Sequence, residues 1–143
     1  MKHCKSIIYI IYLAPALVFA QFSEDRWQVL EERKGIEIAA KKVECHDSSN
    51  GLFYYNLLLQ VKNNTKKRLK VSWKPILWID GVRTGPEEGK EAKLGLELAA
   101  GELISGRCGH SKLCEYQGFI NRPAVPQLTK YELGQLRIKE VKP

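Results

Sequence analysis

Phe53-Tyr54-Tyr55-Asn56-Leu57-Leu58-Leu59-Gln60-Val61-Lys62 is the stretch that decides the fold class. Phe53, Tyr55, Leu57, Leu59 and Val61 share one parity, Asn56, Gln60 and Lys62 take the other, and Leu58 is the exception. Alternation with period two is the signature of a strand with one face buried. Downstream, Leu69, Val71 and Trp73 repeat the pattern after the connection Asn63-Asn64-Thr65-Lys66-Lys67, which predicts a hairpin-like pair. Upstream, Ile36, Ile38 and Ala40 alternate, and the apolar parity then slips to Val43 and Cys45. One extra residue near Lys41-Lys42 would account for the slip as a β-bulge.

Further alternating runs follow at Leu94, Leu96 and Leu98, from Ile104 into Cys108, and at Leu136 and Ile138. Turn residues separate them, at Ser49-Asn50-Gly51, Asp80-Gly81, Gly85-Pro86, Ala100-Gly101 and Asn121-Arg122-Pro123. No long segment carries a helical period. Seven or eight short strands with frequent turns predict an all-β chain, an immunoglobulin-like β-sandwich. A closed barrel would show the same local pattern. The Gly- and charge-rich stretch from Arg83 to Lys93 and the stretch from Tyr116 to Lys130 are expected to be loops.

The N-terminus adds an address. Lys2 and Lys5 precede an uncharged run from Ile7 to Ala20, and Val18-Phe19-Ala20 offers small or permissive side chains ahead of Gln21. This is the form of a cleavable signal peptide over residues 1–20, with a single domain over residues 21–143. The run is shorter than a spanning helix needs and contains Pro15, and Cys4 lies before the apolar core where no lipid anchor would be attached. The expected product is exported, periplasmic or secreted, with no stable membrane anchor. Without Lys2 and Lys5 the formal charge falls from +7 to +5, a basic balance that serves solubility as well as contact with anionic surfaces.

Three cysteines remain after such cleavage: Cys45, Cys108 and Cys114. Disulfides persist outside the cytoplasm. Cys45 with Cys108 is the favoured pair, because both close apolar alternating runs and a bridge between sheets staples many immunoglobulin-like sandwiches. Cys108 with Cys114 is the alternative, across a short loop. A metal or redox site is a competing use of the same residues, since His46 follows Cys45, and Cys108, His110 and Cys114 cluster. None of this spacing is the Cys-x-x-Cys of a zinc ribbon or thioredoxin-like centre, so no cofactor is expected.

Cys45-His46-Asp47 resembles a catalytic relay only on paper, because successive strand residues point to opposite faces. Glu87, Glu88 and Glu91 sit in the Gly-rich stretch, where no fixed separation across a cleft is provided. The chain has no phosphate loop, nucleophile elbow or helical metal motif. It reads as non-enzymatic. A basic cluster offers a binding surface instead: Lys66, Lys67 and Arg68, with Lys62, Lys70 and Lys74 near them and Trp78 as a stacking platform. Lysines on a turn and an edge strand would equally serve to repel stray strands. Strict alternation sends Trp73 and Trp78 to opposite faces, one of them into the core, and only a bulge at Lys74-Pro75 would put both on one.

Two stretches carry a resemblance. Trp27-Gln28-Val29-Leu30-Glu31 with Lys34-Gly35-Ile36-Glu37-Ile38, and Leu59-Gln60-Val61-Lys62-Asn63-Asn64-Thr65 with Val71-Ser72-Trp73, together with Gln21 after the cut, resemble small exported proteins of the Bacteroidota. The likeness spans most of the chain after the signal. That group has no known activity, so the resemblance implies a diderm envelope and an immunoglobulin-like sandwich and transfers no site residue. The expected function is a binding or interaction module at the cell envelope, its partner a protein or an envelope glycan and no specific nucleic acid.

Overall fold

The structure is a computed structural model that describes residues 22, 25–84, 93–109, 112–119 and 128–143. The expected signal peptide, His110, the acidic residues Glu87, Glu88 and Glu91, and the turn at Asn121-Arg122-Pro123 lie outside the described residues. Nine strands are present among those described: β1 (Gln28–Arg33), β2 (Ile36–Asp47), β3 (Leu52–Asn63), β4 (Leu69–Ile79), β5 (Val82–Thr84), β6 (Leu94–Leu98), β7 (Leu103–Ser105), β8 (Cys114–Phe119) and β9 (Leu128–Glu140). All pairings are antiparallel.

One sheet runs β1-β2-β3, with β7 and β8 both on the far side of β3; the other has β4 between β9 on one side and β5 and β6 on the other. β7 pairs with Gln60–Lys62 and β8 with Tyr54–Leu58, so together they occupy one strand position. β5 and β6 divide the length of β4 in the same way. Nine strands thus fill seven positions, which reconciles them with the expected seven or eight. The returns of β7/β8 to β3 and of β9 to β4 are Greek-key connections. The order β2-β3-β7/β8 facing β5/β6-β4-β9 has the connectivity of an immunoglobulin-like sandwich, with β1 as an added strand.

Turn chemistry fixes two hairpins. Lys34 and Gly35 both have positive φ (50° and 78°), as do Asp80 and Gly81 (48° and 78°). Each pair forms the two-residue turn whose twist suits a hairpin, closing β1 onto β2 and β4 onto β5. Between the sheets lie Ile36, Ile38, Ala40, Leu57, Leu59, Val61, Leu69, Val71, Trp73 and Leu98, each nearly or wholly buried. At about 1.5–3 kcal/mol for each large side chain removed from water, this layer supplies the main drive to fold.

Three expectations are corrected. β3 and β4 are not a hairpin: they belong to different sheets, and the Asn63–Arg68 connection crosses between them. Their alternation is real, but a local pattern does not say which strand a strand pairs with. Second, β2 carries no bulge at Lys41-Lys42, since its register with β3 is unbroken from Ile36 to Asp47. The parity slip marks a change of buried face: Ile36, Ile38 and Ala40 point between the sheets, and Val43 and Cys45 point outward beside Asn56 and Leu58. Third, the Tyr116–Lys130 stretch is strand at both ends, as β8 and the start of β9, and Arg83 belongs to β5.

Candidate functional site

The basic residues gather at one end of the sandwich because a buried asparagine organises that end. Asn63 closes β3 with no exposure. Its Nδ2 donates to the carbonyls of Lys67 (2.7 Å), Ala99 (2.9 Å) and Leu98 (3.4 Å). Its Oδ1 accepts from the Thr65 N–H (3.0 Å) and the Thr65 hydroxyl (2.7 Å). One side chain therefore shapes the crossover and ties it to the β6–β7 turn. The β1–β2 turn docks on the same crossover through the Asn64 N–H donating to the Gly35 carbonyl (2.8 Å), and a Cβ at Gly35 would strike Thr65 Cγ2. That brings exposed Lys34 to this end.

The chain's last residues complete the site. The Val141 N–H donates to the Arg68 carbonyl (2.9 Å), laying residues 140–143 beside the crossover. Between them is a cleft of about 400 Å³ lined by Lys66, Lys67, Arg68, Glu140, Val141, Lys142 and Pro143. Lys67 pairs with Glu140 (2.9 Å) and Arg68 with Glu97 (3.3 Å), whereas Lys66 and Lys142 make no ion pair among the described residues. Exposed pairs of this kind hold geometry more than energy. Four cationic side chains line the cleft, two of them held by Glu140 and Glu97, and the remaining lysines suit it to an anionic group. Lys142, in the cleft, and Lys34, at the same end of the sandwich, are what sequence reasoning missed, because only tertiary contacts carry them here. β3 and β4 are both central strands, so Lys66, Lys67 and Arg68 on the crossover between them guard no sheet edge.

Trp78 does not belong to this surface. It lies near the opposite end of β4 from Leu69, where it pairs with Lys130 and Arg83. The Lys130 ammonium sits 5.3 Å from the indole centroid, a cation–π contact that already occupies the ring as a platform. Lys130 chiefly holds the Glu132 carboxyl below its ordinary range, by hydrogen bond and charge. Trp73 is fully buried, and its Nε1–H donates to the Tyr131 hydroxyl (3.1 Å). Burial drives the Tyr131 phenol well above its usual value, partly offset by Trp73 and reinforced by the Glu115 charge. Burial likewise raises the Glu115 carboxyl.

The cysteines form a second cluster. Cys45 and Cys108 are disulfide-bonded with Cα atoms 5.7 Å apart, and Cys114 is free and half-buried. The bridge does not join the two sheets. It ties the outer face of β2 to the loop between β7 and β8, within one sheet. That loop is pinched at its base: the Gly106 N–H donates to the Leu59 carbonyl (2.7 Å) and the Leu59 N–H to the Leu113 carbonyl (2.8 Å). A Cβ on Gly106 would collide with the Leu113 carbonyl. Cross-linking residues 63 apart contributes about 4 kcal/mol by the chain-entropy account.

His46 points away from Cys45, as neighbours on a strand must. It bonds Glu44 (2.9 Å) and meets the Phe53 ring edge-on, centroids 4.6 Å apart. The structure therefore brings Cys45 and Cys114 near each other, through Asn56, but not His46. Among the described residues no group of three or more His, Cys, Asp or Glu is arranged to hold a metal ion. No helix among them is long and apolar enough to cross a membrane.

Comparison of the chain with protein-family models, with curated proteins and with solved structures finds no match.

Proposed function

We propose that the chain is a non-enzymatic exported β-sandwich that serves as a binding module at the cell envelope, taking an acidic envelope glycan at its basic end. The observation that carries this reading is the cleft lined by Lys66, Lys67, Arg68 and Lys142, in which Lys66 and Lys142 have no ion pair among the described residues. Charge recognition at an open cleft suits a repeating anionic polymer, whose successive groups can engage several lysines at once. The disulfide is compatible with an oxidising compartment, and the N-terminal sequence supports export.

Heparin serves as the probe glycan. Full-length protein is expected to be retained on immobilised heparin at moderate salt and released as salt rises. The pair Lys66→Glu with Lys142→Glu is expected to weaken retention about tenfold or more, since two favourable contacts become repulsive at roughly 1 kcal/mol each. Absence of retention by the unaltered protein at moderate salt sinks the reading. Equal retention on single-stranded DNA turns the surface into a general polyanion site. Amino-terminal sequencing of the extracellular or periplasmic product tests export separately, with a start at or near Gln21 expected.

A further inference from the structure

Two sulfurs meet at one buried amide, and a third is bonded to one of them. Asn56 Nδ2 lies 2.9 Å from Cys114 Sγ and 3.4 Å from Cys45 Sγ, and Cys45 is bonded to Cys108. Asn56 is 2 % exposed, and its Oδ1 has no hydrogen-bond partner among the described residues. A buried amide whose oxygen is unsatisfied is held at a cost, and among the described residues its nitrogen bonds to sulfur. Neutral thiols and disulfides are weak acceptors. The amide contributes most when one of these sulfurs is a thiolate.

Strand order decides which sulfurs can change partners. Cys45 is on β2 and Cys114 on β8, the strands that flank β3 on opposite sides, about 10 Å apart by ordinary strand spacing. A disulfide needs Cα atoms within about 7 Å, so Cys45 and Cys114 cannot pair while the sheet is intact. Cys108 is on neither strand. It rides the pinched loop whose base ends at Leu113, next to Cys114, and the backbone N–H of its neighbour Gly109 is directed at Cys114 Sγ. Of the two bonded sulfurs, Cys108 is the one that this loop carries toward Cys114.

We propose that the disulfide is exchangeable, with Cys108 passing from Cys45 to Cys114. The deprotonated Cys114 Sγ attacks Cys108 Sγ, and the new S–S bond forms as the Cys45–Cys108 bond breaks. The electron pair leaves on Cys45 Sγ, next to Asn56 Nδ2, and the proton given to water by Cys114 is returned to Cys45. Nothing is oxidised or reduced overall. Burial and the Glu115 charge raise the Cys114 thiol and outweigh the help of Gly109 and Asn56, so the resting pairing persists until a thiolate forms. After exchange the loop is closed on its own base, and the outer face of β2 loses its tether.

The test is a disulfide map of the full chain purified without reductant. Samples held at about pH 6 and about pH 9, either side of an ordinary thiol's titration, are acid-quenched, labelled with N-ethylmaleimide after denaturation, and digested. The label is expected on Cys114 alone at the lower pH. At the higher pH, labelled Cys45 is expected to rise at least tenfold together with a Cys108–Cys114 linked peptide. Label confined to Cys114 in both samples after prolonged incubation overturns the proposal, as does a Cys45–Cys114 link. Cys45→Ser is expected to form the Cys108–Cys114 bridge in air, and two reduced thiols in folded Cys45→Ser also overturn it. Asn56→Ala is expected to slow the exchange severalfold without changing which sulfurs pair.

Discussion

The indole N–H of Trp73 donates to the hydroxyl of Tyr131 across the interior, joining β4 to β9 where both side chains are almost wholly buried. Tyr131→Phe removes the acceptor and leaves a buried donor unpaired. It is expected to cost about 1–3 kcal/mol in urea unfolding. Adding Trp73→Phe is expected to cost less than the two single changes summed, because no orphan remains. Strict additivity in that cycle would show that the bond carries no coupling.

Gly106→Ala places a methyl against the Leu113 carbonyl at the pinch where both main-chain groups of Leu59 are engaged. Backbone has little room to yield there. A loss of about 2–4 kcal/mol is expected, as for other sites where backbone must shift, with hydrogen exchange accelerated first at Leu59. Unchanged protection of the Leu59 amide would contradict the geometry.

Asn63→Ala leaves the Lys67 and Ala99 carbonyls and the Thr65 N–H without their partner. A cost of about 2–4 kcal/mol is expected from several buried or half-buried groups losing bonds together. Heparin retention should fall in the same variant while it is still folded, because the cleft's lysines hang on the turn that Asn63 shapes. Stability loss with retention intact would separate the cleft from the crossover.

Glu115 gives a pH dependence with a definite sign. Burial raises its carboxyl in the folded protein, so the folded state holds this proton to a higher pH than the unfolded chain does. Its contribution to stability is fully present below the ordinary carboxylate range and is lost as pH rises through the folded value. Glu115→Gln is expected to flatten the fall in stability over mildly acidic pH and to stabilise the protein at neutral pH. A steeper fall in the variant, followed by thermal melting at several pH values, would reverse the assignment.

The fold was legible wherever one face of a strand is buried and the other wet. Leu57, Leu59, Val61, Leu69, Val71 and Trp73 alternate because they line the interior. Legibility ended where a strand is covered on both sides or changes its covered face. Val43 and Cys45 look like a slipped register because the β7–β8 loop is stapled over the outer face of β2. β1 was not legible because Val29, Leu30 and Glu31 straddle a true irregularity in its pairing with β2. At the basic end, Lys66, Lys67 and Arg68 are adjacent in sequence and could be read together. Lys34 and Lys142 join them only after the chain has folded, and Trp78 is carried away by the length of the strand between.

The Cys45–Cys108 bridge also sets how the molecule would respond to tension. A force applied to the two ends of the chain draws out only what lies outside the bridge. The 63-residue span between the cysteines, roughly 220 Å of extended chain, stays locked in a covalent loop that holds β3 through β7. A chain tugged between two attachments would therefore give way in short steps at its ends and keep its central strands as a non-extensible knot of sheet.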